Sequence, residues 1–169
     1  MKTNALPKCD DSDNPTGCCP RFNTEGWDGQ ELHFKNKDFV RATTLSAMHV
    51  PLNMGRVFER VQSKIADAGA YDPNNYIVLS RDLSPWKAEH LFSISAPVPG
   101  EEQETLTGTY RTKVFEGPYR NAKDWYAEMQ SLAGAAGAQS EKIYFFYTTC
   151  PKCAKVYGKN YVVGVARID

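Results

Sequence analysis

From Phe39 to the end of the chain one order of elements is written twice, and no other feature restricts the fold as much. In the first copy RATTLSAMHV (41–50) is rich in β-branched and small residues and reads as a strand. The segment Asn53 to Gly69 then sets Met54, Val57, Phe58, Val61, Ile65 and Ala68 at helical spacing, with Gly69 where a terminating glycine belongs. NYIVLSRD (75–82) and HLFSISAPV (90–98) follow as strands, and Pro97, Pro99 and Gly100 mark a linker. The second copy repeats this order. LTGTYRTKVFEG (106–117) is a strand, and a helix from Tyr119 to Gly137 carries Trp125, Met129 and Ala133 on one face. KIYFFYTTC (142–150) and NYVVGVARI (160–168) close it. The copies register at Pro51 and Pro118, at Tyr76 and Tyr144, and at Ser84-Pro85-Trp86 and Cys150-Pro151-Lys152.

The expected fold is therefore α+β, a duplicated strand-helix-strand-strand unit with pseudo-two-fold symmetry, repeat one at 39–100 and repeat two at 105–169. Helices on one side of such a pair leave a ligand cleft on the other. Residues 1–38 are too rich in proline and glycine for regular structure and read as an irregular N-terminal arm, docked on the body by Phe22, Trp27 and Phe34.

Composition excludes several classes of function. Twenty basic and twenty acidic residues cancel, and no long basic run concentrates positive field, which argues against nucleic acid or an anionic membrane as partner. No apolar run is long enough to span a bilayer, and the first twenty residues lack the apolar core of a signal peptide. A cytoplasmic location with reduced thiols is the expectation. The five cysteines, an odd number with an adjacent pair, do not form a disulfide framework.

Cys150-Pro-Lys-Cys153 is spaced to supply two thiolates to a metal, and zinc commonly takes four. Cys18 and Cys19 are candidates for the other two, with Cys9 in reserve, so that a structural zinc would staple the arm to the body. Unliganded thiols are the second reading and a redox pair the third. The redox reading needs a lowered pKa, usually at a helix N-terminus, whereas this loop is expected between strands. No organic cofactor is implied.

With KVFEGPYRNAKDWYAEM at its centre, the duplicated organisation resembles the gyrase-inhibitor-like small-molecule-binding superfamily over residues 39–169. Cys18-Cys19-Pro20-Arg21-Phe22, Trp27-Asp28-Gly29 and the run Cys150 to Val163 resemble a stand-alone bacterial group within it, often labelled hydrolase. The resemblance implies a pocket with a carboxylate among aromatic rings, for cationic ligands or for hydrolysis of strained ones. No DNA-binding helix pair precedes the domain, unlike in the regulators of that superfamily.

Glu116 lies two residues before Pro118, and His49 lies two before Pro51. Across a cleft these could act as acid and base, a desolvated glutamate having a raised pKa suited to work near neutrality. The bland alternative is a strand-end glutamate in water, paired with Lys113 or Arg120. Among the aromatics, Trp86, Phe92, Tyr110, Phe145 and Tyr161 are candidates for ligand contact, and Tyr147 for a hydrogen bond to developing charge. Each ring taken singly has core packing as its alternative. His33 and His90 read as surface residues. No Gly-x-Ser-x-Gly elbow, phosphate loop or His-Glu-x-x-His helix is present. The expected function is small-molecule binding in an aromatic cleft, with hydrolysis of an apolar or electrophilic compound. The alternatives are a sequestering module without turnover and a zinc-stabilised adaptor.

Overall fold

Regular structure begins at Glu31, inside the segment expected to be irregular, because Leu32 and Phe34 already alternate inward. Asn36, at φ 49°, interrupts that alternation, and the buried positions change phase behind it. The computed structural model describes residues 2–8, 11–138 and 142–169, so Cys9 lies outside the described residues. It resolves into two units, one of residues 1–34 with 108–169 and one of residues 35–107. Strands β1 (Glu31–Ala47) and β5 (Gln103–Glu116) each give a segment to both.

Unit 35–107 adds β2 (Val50–Pro51), α1 (Met54–Asp67), β3 (Val78–Ser84) and β4 (Lys87–Ser93). Central β4 pairs antiparallel with β1 and β3, aligning Val40, Phe92 and Val78 in one row and Ala42, His90 and Ser80 in the next. Helix α1 covers these rows with Val61 and Ile65, and Gly69 takes the left-handed turn that ends it. Phe58 stands edge-on to both Phe92 and His90, each at 4.9 Å. His90 is thus buried, not on the surface. It shares the period-two face of Phe92, and its ring nitrogens meet Thr44 at 2.8 Å and Ser80 at 2.7 Å. Burial pushes its pKa down to about 4. On the other face Phe39, Leu79 and Leu91 are fully buried, and buried Glu89 bridges Arg41 and Arg81 at 2.5 and 2.6 Å.

The unit of 1–34 and 108–169 continues β5 through a short 3-10 turn (Tyr119–Asn121) into α2 (Ala122–Ala135). It ends with β6 (Ile143–Tyr147), α3 (Pro151–Tyr157) and β7 (Tyr161–Arg167). Central β7 pairs antiparallel with β5 and β6. Trp125, Met129 and Ala133 of α2 pack on Phe115, Ile143, Phe145, Val162 and Ala166. The approach is close at Gly164, where an added Cβ would meet Met129 Sδ at 2.6 Å.

The opposite face of this sheet, expected to be a ligand cleft, is filled by the arm. Phe146 faces Trp27 at 5.4 Å and Phe22 at 6.3 Å, Phe22 also reaches Tyr161, and Trp27 is fully buried. Thr112 of β5 clasps the arm: its N–H donates to Gln30 O, its carbonyl accepts from Gly29 N–H, and its hydroxyl donates to Trp27 O. Asp28 accepts from Val114 N–H at 2.9 Å, meeting a backbone donor of β5. The Trp-Asp-Gly motif is therefore a docking device. Among the described residues no helix is long and apolar enough to cross a membrane.

Candidate metal centre and the groove beside it

The segment after β6 was expected to be a hairpin loop, but Cys150 caps a helix. Its backbone is extended, its sulfur accepts from Cys153 N–H at 3.5 Å, Pro151 fills the first helical position, and Gly158 at φ 70° ends the helix. One turn of helix sets Cys150 and Cys153 facing the arm. Arm and helix are locked by Tyr157, whose hydroxyl donates to Cys19 O at 2.5 Å and whose ring lies under Arg21 at 5.1 Å. Thr16 Oγ1 lies 3.0 Å from that hydroxyl and 3.3 Å from Cys153 Sγ.

Cys18, Cys19, Cys150 and Cys153 consequently have sulfurs all within 4.8 Å of one another. The adjacent pair Cys18 and Cys19 holds its sulfurs 3.8 Å apart. Sulfurs about 2.3 Å from a tetrahedral ion stand about 3.8 Å from each other, so the donor set fits thiolate coordination in number, chemistry and spacing. Two backbone N–H groups already point at sulfur, those of Cys150 to Cys19 and Cys153 to Cys150, as second-sphere donors do.

The thiols do not ionise alike. The Thr16 contact, opposed by burial and reinforced by Cys150, lowers Cys153 to about 7. Burial pushes Cys19 up to about 12. Contact with Cys19 lowers Cys18, but Cys153 and burial outweigh it and leave that thiol above its ordinary value. Four thiolates at this separation repel one another, and a divalent cation is what permits all four to lose their protons. With four protein ligands no position is open for substrate. The helix N-terminus behind Cys150 and Cys153 removes the earlier objection to redox chemistry, yet the same loop also serves the four-sulfur arrangement.

Beside α3 lies an open groove of about 720 Å³, lined by Glu116, Tyr119, Lys152, Lys155, Lys159 and Asn160 among others. Glu116 is exposed, so the desolvated environment expected for it is not found. Tyr119 donates to Thr149 O at 2.5 Å, its phenol pushed up to about 12 by burial, and its ring stands 5.9 Å from that of half-exposed Tyr147. Glu116 and Tyr119 line the groove, and Tyr147 is not among its lining residues. His49 belongs to unit 35–107, where it is exposed and meets Asp82 at 2.6 Å, and it is not among the groove residues.

The expected ligand aromatics are dispersed. Phe92 is core beneath α1, Phe145 is core beneath α2, Tyr110 is fully buried beside Phe34, and Tyr161 rests on Phe22. Trp86 is exposed on the β3–β4 hairpin. Sequence reasoning passed over Thr16 and Tyr157, which brace the cysteines. Lys152 and Lys155 sit three apart on α3, the spacing that puts both on one face.

A family model described as bacterial hydrolase matches residues 9–168. No curated protein matches the chain.

Proposed function

The chain belongs to the bacterial hydrolase family, and on that premise we propose that it is a hydrolase built around a structural Zn–thiolate staple, with small-molecule chemistry in the neighbouring groove. The observation that carries the metal assignment is the convergence of four sulfurs within 4.8 Å from opposite ends of the chain. Zinc fits because all four donors are thiolates and the site closes at four. Bound there, the ion supplies charge to hold four ionised sulfurs together and takes no part in turnover.

The hydrolytic reading rests on the family and on Glu116 lining the groove. Glu116 accepts a proton from water as the water oxygen attacks an ester carbonyl and returns it to the alcohol oxygen as the acyl C–O bond breaks, while the ammonium groups of Lys152 and Lys155, which line the same groove, offset the oxyanion. Tyr119 forms the aromatic wall, with Tyr147 behind it. Exposure of Glu116 places its contribution at the low end for general-base catalysis, about a hundredfold. Two measurements test the proposal separately. Elemental analysis of purified protein should find one zinc per chain, and Cys150→Ser should abolish it. Hydrolysis of a panel of small esters should fall about a hundredfold in Glu116→Gln, which keeps its zinc. Equal turnover in wild type and Glu116→Gln rejects the role given to this carboxylate.

A further inference from the structure

Unit 35–107 exposes large apolar side chains in one place. Leu45, Met48, Val50 and Leu52 come from β1, β2 and the turn and loop beside them, and Leu83 and Trp86 come from the β3–β4 hairpin. They are between 42% and 68% exposed. The two hairpins form one surface, because Ser46 N–H donates to Trp86 O at 2.8 Å and His49 N–H donates to Pro85 O at 2.9 Å. Leu52 N–H closes back onto Leu45 O at 2.9 Å.

The turn at the tip is unusual. Met48 and His49 both have positive φ, 49° and 69°. A two-residue hairpin turn of this kind ordinarily takes Asn-Gly, since a methionine in the left-handed region gains nothing locally. The His49–Asp82 contact at 2.6 Å holds the conformation and leaves Met48 projecting as the most exposed member of the patch.

Six such side chains offer on the order of 100 Å² of apolar surface each, so the patch reaches or exceeds the 300–600 Å² usual on a monomer. With a polar rim it approaches the ~800 Å² that each partner gives to a standard interface. Its charge balance selects the occupant. The rim carries both signs, with Asp82 meeting His49 and with Arg81 and Lys87 adjoining in sequence, and the chain as a whole carries no net charge. An anionic bilayer is not favoured by such a surface, and a strongly charged protein gains nothing from it. An identical neutral patch fits it, since a two-fold contact sets each surface against itself without like-charge repulsion.

We propose that the protein forms a two-fold dimer by packing the Met48–Trp86 surface against that of a second copy. Sedimentation equilibrium of the full chain with its metal, over rising concentration, should move the mass from 18.9 kDa toward twice that value. Met48→Glu and Trp86→Glu should each hold it at the monomer mass with unchanged circular dichroism and zinc content. Wild type that stays monomeric throughout, or variants that associate as strongly as wild type, would overturn the dimer. So would monomeric protein co-sedimenting with neutral phosphatidylcholine vesicles, which would assign the patch to lipid.

Discussion

The two units each set a helix against an antiparallel sheet, yet they satisfy their interiors in different ways. In unit 35–107 polar groups are paired in house: His90 lies between Thr44 and Ser80, and Glu89 between Arg41 and Arg81. Burial would raise Glu89, but the two guanidinium groups more than offset it and hold it below the usual carboxylate range. In the other unit one sheet face is sealed by imported chain, with Phe22 and Trp27 supplied by the arm and the arm tied down at Cys18 and Cys19. One interior is closed by side chains paired within it, the other by a segment brought in from the N-terminal arm.

The largest expected effect comes from breaking the tie. Chelation, or Cys153→Ser, should cost on the order of 5 kcal/mol or more, since structural thiolate zinc contributes folding energy directly. Hydrogen exchange would localise the loss: the amides of Gly29 and Thr112 should lose protection, while those of β4 keep theirs. Uniform loss over both units would dissolve the distinction. Trp27→Ala should follow at about 4 kcal/mol in urea denaturation, the range for truncating a fully buried tryptophan. A cost below about 1 kcal/mol would mean the arm is draped on the sheet and not packed into it.

The converse test is pH. His90 falls from 6.5 unfolded to about 4 folded, so the unfolded chain binds the proton more readily. The stabilisation is complete above pH 6.5 and is lost as pH falls from there toward 4, roughly 3 kcal/mol in all. His90→Gln should flatten stability over that window, and an unchanged slope would assign it to other groups. The smallest effect is Gly164→Ala. The new methyl would press on Met129, a flexible neighbour, so about 1–2 kcal/mol is expected from thermal denaturation.

Much of this was legible before any coordinates. Helical spacing located α1 and α2 together with their glycine stops, and the cysteine spacing brought together Cys18, Cys19, Cys150 and Cys153. What was not legible has identifiable causes. Strict alternation in KIYFFY makes Phe145 and Tyr147 equivalent to Tyr144 and Phe146 until it is known which face a helix covers. The helix covers Phe145, and the arm covers Phe146. Proline after Cys150 and glycine at 158 are start and stop signals for α3, outweighed in the reading by analogy with Ser84-Pro85-Trp86. His90 shares the alternation of Phe92, and that signal alone would have placed it inside. Glu116 could not be placed in or out of water, because exposure at a strand end depends on neighbours remote in sequence.

Cys19 and Cys150 are 131 positions apart, so the ion would join the N-terminal arm to the helix that precedes the last strand. During synthesis the arm emerges with Cys18 and Cys19 lacking their partners, and its aromatic rings have no sheet to cover until β6 and β7 exist. A metal captured by the four sulfurs would then close biogenesis and act as a proofreading step, since a chain truncated before Cys150 has the residues of α1 and α2 but cannot complete the four-sulfur site.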